Sequence, residues 1–171
     1  MVRILSLHRR VLAVLAGGFL GTLARYGLSM VLQGWLGKAW PYDILLINLT
    51  GACVLALLTT LADAALLIGP TRRLLLTTGL LGAYTTFSSL ALGDVLLFSQ
   101  GSWLPALLYL LLSLPGGLCV VLLGDWLGQK CIAHIQRRSH KSRAVQRSRS
   151  ANKHGHIQDE LFLPDRAETP P

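Results

Sequence analysis

Charge is what this chain lacks, and it lacks it in blocks. Only 14% of its 171 residues are Asp, Glu, Lys or Arg, where a soluble domain carries roughly 25%. Between Val11 and Gly37 the only charged residue is Arg25, and Ile44–Ala62, Leu74–Gly93 and Val95–Gly124 hold none. Too little polar surface remains to cover a soluble globule, which excludes a water-exposed enzyme domain. Cysteine is scarce as well. Cys53, Cys119 and Cys131 lie far apart, which excludes a paired metal site and a disulfide framework. Cys53 and Cys119 read as small apolar residues of membrane segments, and Cys131 falls at a membrane edge. The first apolar run also has no acid, so it offers no membrane-buried carboxylate for proton exchange.

What is present is apolar length. Hydrophobic residues make up 52% of the chain, and they come in continuous runs rather than in one stripe per helix. A helix rising 1.5 Å per residue needs about 20 apolar residues to cross the hydrocarbon core. One run of that length could be a buried core helix; four in succession could not. The spans predicted are Val11–Leu32, Ile44–Leu61, Leu74–Phe98 and Trp103–Leu127, the last beginning after the turn Ser99-Gln100-Gly101-Ser102. Arg9-Arg10 followed by Val11–Leu20 has the look of a secretory leader. We read it as the first span instead, because no soluble domain follows and Arg25 belongs to a motif described below.

The chain thus divides into a basic cytoplasmic start (1–10), a four-helix transmembrane domain (11–128) and a basic tail (129–171). Trp35 and Trp40 in the first connection suit the headgroup level, and Gly69-Pro70 stops the second span. The tail cannot bury enough apolar area to order itself and is predicted to be disordered. Its cations account for much of the net charge of +8. They suit anionic lipid headgroups, at about 1 kcal/mol per cation, better than nucleic acid. Arg3, Arg9, Arg10, Arg72, Arg73, Lys130, Arg137, Arg138, Lys141 and Arg143 all fall on one side of the membrane, against Lys38 on the other. The positive-inside bias places both termini in the cytoplasm, in a multi-pass protein of the cell membrane.

Three clusters break the apolar pattern. Gly17, Gly21 and Ala24 share one face and allow close approach of a second helix; Arg25, next along, is costly in a membrane unless it snorkels or meets water, a partner or an anion. Asn48-Leu49-Thr50-Gly51 puts an amide at mid-membrane, where it is either packing glue or a donor to a dehydrating anion. Gly79-Leu80-Leu81-Gly82-Ala83-Tyr84-Thr85-Thr86-Phe87-Ser88-Ser89 predicts a broken third helix, whose freed carbonyls can act as ion ligands. The alternative is a tightly packed helix without a break. In the fourth span Tyr109, Ser113 and Gly117 lie on one face.

Taken in order, these clusters resemble the CrcB/Fluc fluoride channel family. Its first-span pattern G-G-x-x-G-x-x-x-R-Y is met at Gly17, Gly18, Gly21, Arg25 and Tyr26, and its N-x-x-G at Asn48 and Gly51. Its G-x-x-G-x-x-T-T-F-S is met at Gly79, Gly82, Thr85, Thr86, Phe87 and Ser88. The resemblance implies an antiparallel dimer with two narrow pores and a central structural Na+ held by the backbone carbonyls of Gly82 and Thr85. It implies a fluoride pathway through Asn48, Phe87, Ser88, Tyr109 and Ser113, with Arg25 near a vestibule and the Phe87 ring edge facing the ion. Bulk at Gly82 is then expected to disturb the break and the dimer. The chain departs from the pattern at Leu90, where a second Phe is usual, at Ile44, where a hydroxyl is usual, and at Gly93, where an acid is usual and Asp94 follows instead. With one-way insertion, these thinned walls suggest a heterodimer with an oppositely oriented homologue. The competing classes are a small four-helix multidrug exporter, which the acid-free first span disfavours, and a non-conducting membrane partner subunit.

Overall fold

The structure is a computed structural model that describes residues 2–64 and 69–161, with side-chain surroundings for 7–64 and 69–137. Four stretches are helical, long and apolar enough to cross a membrane: Leu7–Leu36, Tyr42–Asp63, Pro70–Ser99 and Trp103–Arg137. The chain is all-α, in the order α1 (Val2–Leu36), α2 (Tyr42–Asp63), α3 (Pro70–Arg73), a π-helical segment (Leu74–Leu81), α4 (Gly82–Tyr84), α5 (Phe87–Ser99) and α6 (Trp103–Leu161). Each helix runs past the span expected from hydropathy, by a few residues in α2 and much further in α6. The basic start thus belongs to α1 rather than preceding it.

The tail differs more. Two compact units are present, Met1–Ile132 with all four apolar stretches inside or starting in it, and Ala133–Pro171. Composition predicts no stable order for the second, yet its backbone is helical as far as Leu161; residues 162–171 lie outside the described part. Residues 136–150 hold no Pro or Gly and are rich in Arg, Lys and Gln, all good helix formers. Intrinsic propensity here points opposite to the burial argument.

Turns are set by two residues that need a left-handed backbone. Gly37 ends α1 at φ 78°, its N–H donating to Gln33 C=O at 3.0 Å, and Gly101 ends α5 at φ 74°. In the latter turn Ser102 N–H closes back on Leu97 C=O at 3.0 Å, a Schellman closure that satisfies a carbonyl otherwise orphaned at the helix end. Across the connection between α2 and α3, Arg73 and Asp63 form an ion pair at 2.8 Å. Both side chains are largely exposed, so it contributes little.

Packing divides by side-chain size. Toward the α1–α2 connection a core of Leu45, Leu90, Leu97, Ala106 and Tyr109 is flanked by Trp40, Ile44 and Leu49. Trp40 caps it: its ring meets Tyr109 edge-on at 5.3 Å and its Nε1–H donates to Pro105 C=O at 3.1 Å. A carboxylate closes the same end. Asp43, only 6% exposed, accepts from Ser29 Oγ and, at 2.7 Å, from Gln33 Nε2. Two donors on α1 thus meet the charge that begins α2, the compensation a buried carboxylate requires. At the other end Thr60 donates to Asp125 Oδ1 at 2.7 Å and Gln129 to its Oδ2 at 2.8 Å, tying α2 to α6.

In the middle, α1 and the π-helical segment meet backbone to backbone. A Cβ added at Gly17 would lie 2.8 Å from Leu80 N and 3.0 Å from Gly79 Cα. One added at Gly21 would run into the Leu80 carbonyl, and one at Gly79 would lie 2.8 Å from Val14 O. The small-residue face predicted for the first span is therefore used against the third. The π-helical winding of residues 74–81 is not visible in the sequence pattern; it coincides with this contact.

Candidate functional site

The break predicted for the third span is present, and it is narrow. Gly79 and Gly82 remain helical; only Thr85 (φ −80°, ψ 155°) and Thr86 (φ −152°, ψ 120°) are extended. Two β-branched threonines side by side take extended backbone readily, since branching at Cβ crowds a helix. Thr85 closes α4, its N–H and Oγ1–H both donating to Leu81 C=O at 3.0 Å. Thr86 opens α5 as its N-cap, its Oγ1 accepting from Ser89 N–H at 3.3 Å, the role for which Thr is favoured.

The broken backbone is held from outside the span. Asn48 on α2 donates from Nδ2 to Thr86 C=O at 2.9 Å and accepts from Thr86 N–H at 2.8 Å on Oδ1. The two bonds together fix which end of the amide is which, since only the oxygen can accept from an N–H. Nearby, a Cβ added at Gly51 would run into the Thr85 methyl and lie 3.0 Å from the Tyr84 ring, and Thr50 Oγ1 lies 3.1 Å from Tyr84 Oη. The predicted N-x-x-G element is thus one side of a clamp, with Gly51 giving room for α4 and Asn48 gripping the break.

Around this clamp lies an open cavity of about 430 Å³, lined among others by Asn48, Gly82, Thr85, Phe87 and Ser113. Five of the eight residues predicted from the sequence are therefore gathered in one place. Ser113 is buried, and its Oγ has no hydrogen-bond partner among the described residues. Phe87 is 74% exposed, its ring standing at the open side of the chain. Among the described residues that line the cavity, none is a carboxylate.

The other three predicted residues stand apart from this lining. Ser88 is exposed and reaches the site only through Thr86, Oγ to Oγ1 at 3.1 Å. Tyr109 is fully buried in the core behind Leu90, its hydroxyl without a partner among the described residues. Arg25 is half-buried on α1 and has no ion-pair partner among the described residues. Leu90 lines the cavity but is itself buried, packed into the core with Tyr109. A Cβ at Gly93 would sit 3.4 Å from Pro41 and 3.5 Å from the Tyr109 ring; the neighbouring Asp94 has its Oδ1 buried without a partner among the described residues.

A Cβ at Gly82 would meet only Thr77 O, at 3.7 Å, an ordinary contact, so one added carbon meets no obstacle within the single chain. One residue that sequence reasoning left out of the site belongs to it: Thr86, which a helix-cap reading of Thr-x-x-Ser before an apolar run would have found; Asp43 lies outside this cavity, and its burial depends on contacts with α1 that no local pattern shows.

The carbonyls at the break suit a hard cation. In a continuous helix Gly82 C=O would accept from Thr86 N–H, and Thr85 C=O from Ser89 N–H. Those donors go to Asn48 and to Thr86 Oγ1 instead. Oxygen donors of this kind fit Na+. Among the described residues no three His, Cys, Asp or Glu side chains come together as metal ligands.

Comparison with known proteins agrees with the geometry. Residues 12–125 match the family described as "CrcB-like protein, Camphor Resistance (CrcB)". A protein of Chloroflexus aurantiacus named "Fluoride-specific ion channel FluC" is 41% identical over 119 residues, 70% of this chain and 94% of that one. Its namesake in a Synechocystis species is 41% identical over 122 residues, 71% of this chain and 94% of its own. That of Nitratidesulfovibrio vulgaris is 38% identical over 123 residues, 72% and 98%. The matched stretch runs from the start of the first span almost to the end of the fourth and includes every residue of the break and its clamp: the chain belongs to the CrcB family.

Proposed function

We propose that this chain is a subunit of a fluoride-selective channel that lets fluoride leave the cell passively and so limits its toxicity. The observation that carries the reading is the cavity where Asn48, Phe87 and the partnerless Ser113 hydroxyl meet beside the broken span. Small, strongly hydrated fluoride must exchange its water for donors. Asn48 spends one N–H on Thr86 and has a second left; Ser113 Oγ–H is uncommitted, and the Phe87 ring offers a positive edge. The cavity's lack of a carboxylate disfavours the proton-coupled exporter. Ser88, Tyr109 and Arg25 complete the proposed pathway outside the cavity, Arg25 as the cation that draws anions toward it. Na+ would rest on the Gly82 and Thr85 carbonyls and supply fixed charge and structure; nothing in the pathway needs it to move.

The subunit works as an antiparallel dimer. Phe87 exposed at the open side of the cavity supports this, because a second subunit set against that side would enclose the ring. The one-sided basic charge, with both termini cytoplasmic, favours an oppositely inserted homologue as partner. Proteoliposomes loaded with fluoride or chloride test the function: rapid fluoride release with chloride retained is expected, and equal release of both contradicts it. A reporter fused after Pro171 tests orientation, with signal outside the cytoplasm speaking for mixed insertion and a homodimer.

A further inference from the structure

A break inside an apolar span leaves polar backbone groups that must find partners, since lipid supplies none. The third span solves this with two side chains. Thr86 N–H is turned to Asn48 Oδ1 at 2.8 Å, and Ser89 N–H to Thr86 Oγ1 at 3.3 Å. The carbonyls that lose these donors are those of Gly82 and Thr85, four residues back in each case. Asn48 also returns a bond to Thr86 C=O at 2.9 Å, so the pair resembles one rung of a sheet ladder built between a side chain and a strand-like residue. Thr86 is itself buried, and its Oγ1 is further engaged with Ser88 and Ser89.

We propose that Asn48 and Thr86 are the positioning residues of the cation site: they divert two amides and thereby expose the Gly82 and Thr85 carbonyls. Asn48 lines the cavity as well, so one side chain joins the cation-holding backbone to the anion path. Loss of Asn48 then acts in two separable ways, by removing a donor to the anion and by freeing the Thr86 amide and loosening the break. The proposal rests on the channel reading only for the identity of the cation.

The test uses the full chain in detergent, without fluoride, and reads two quantities. One is hydrogen exchange at the Thr86 and Ser89 amides; the other is the NaCl concentration, against N-methylglucamine chloride, that half-maximally protects the chain from thermal unfolding. Asn48→Ala is expected to speed exchange at Thr86 by about tenfold, the worth of one good hydrogen bond, and to raise the NaCl requirement by a similar factor. Thr86→Val is expected to do the same at Ser89, while Thr86→Ser, which keeps the hydroxyl, behaves as wild type. Asn48→Ala with unchanged exchange and unchanged NaCl dependence overturns the proposal, and so does a wild-type chain with no NaCl response. If Asn48→Ala does not fold, Thr86→Val against Thr86→Ser decides, and equal NaCl dependence in those two overturns it. Neither quantity involves fluoride, so a chain that failed to conduct fluoride would leave both intact.

Discussion

The two halves of the third span obey opposite rules. Leu74–Leu81 is π-helical, uniformly apolar apart from Thr77, Thr78 and Gly79, and lies against glycines of α1 so closely that no Cβ fits. From Thr85 to Ser89 the span is rich in hydroxyls, extended for two residues, and held by side-chain hydrogen bonds instead of by backbone contact. The first half tolerates no added atom; the second tolerates size but not the loss of a donor or acceptor. Contact by shape fixes where the span sits, and contact by hydrogen bonding fixes which backbone oxygens it offers.

The largest effect is expected in the first half. Gly21→Val places a side chain against the Leu80 backbone, whose carbonyl carbon would lie 2.9 Å from the new Cβ. Backbone cannot rotate away as a side chain can. The cost is expected to reach at least ~3 kcal/mol, the upper end of overpacking, read as loss of monodisperse protein or a large fall in melting temperature. Next comes Thr86→Val, which removes the cap of α5 and is expected to cost about 1 kcal/mol in thermal unfolding. Phe87→Ala is expected to leave stability within ~0.5 kcal/mol, since the ring is exposed in the single chain, while fluoride flux from liposomes falls sharply. A parallel loss of stability would mean the ring is a packing element. The smallest effect is expected from Gly82→Ala, whose Cβ makes only an ordinary contact with Thr77 O at 3.7 Å, and which is expected to change monomer stability by no more than ~0.5 kcal/mol. If it instead matched Gly21→Val, the contrast between the two halves would be lost.

Much of this was legible in the sequence, for particular reasons. Uncharged runs of membrane length announced four spans because the bilayer sets both the length and the penalty. The Gly17–Gly21 face announced a close helix contact, and the Gly- and hydroxyl-rich run from Gly79 to Ser89 announced a break, because both are short-range patterns. What stayed hidden depends on distant partners. Nothing local to Asn48 says that its amide grips Thr86, 38 positions away. The burial of Asp43 needs Ser29 and Gln33 from another helix. Leu90 and Gly93, which look in the sequence like gaps in a pore wall, prove to sit against the core around Tyr109. The π-helical winding left no trace in the hydropathy pattern, and the helical tail arose from propensity where burial arguments predict none.

The central claim is anion selectivity at the cavity beside the broken span, and reconstituted flux tests it most directly. The chain, with its oppositely oriented partner if one is required, is placed in liposomes carrying equal fluoride and chloride, and efflux of each is followed by ion-selective electrodes. The account predicts that fluoride leaves while chloride is retained, and that Ser113→Ala slows fluoride without admitting chloride. Chloride released as fast as fluoride by the wild-type protein would contradict it.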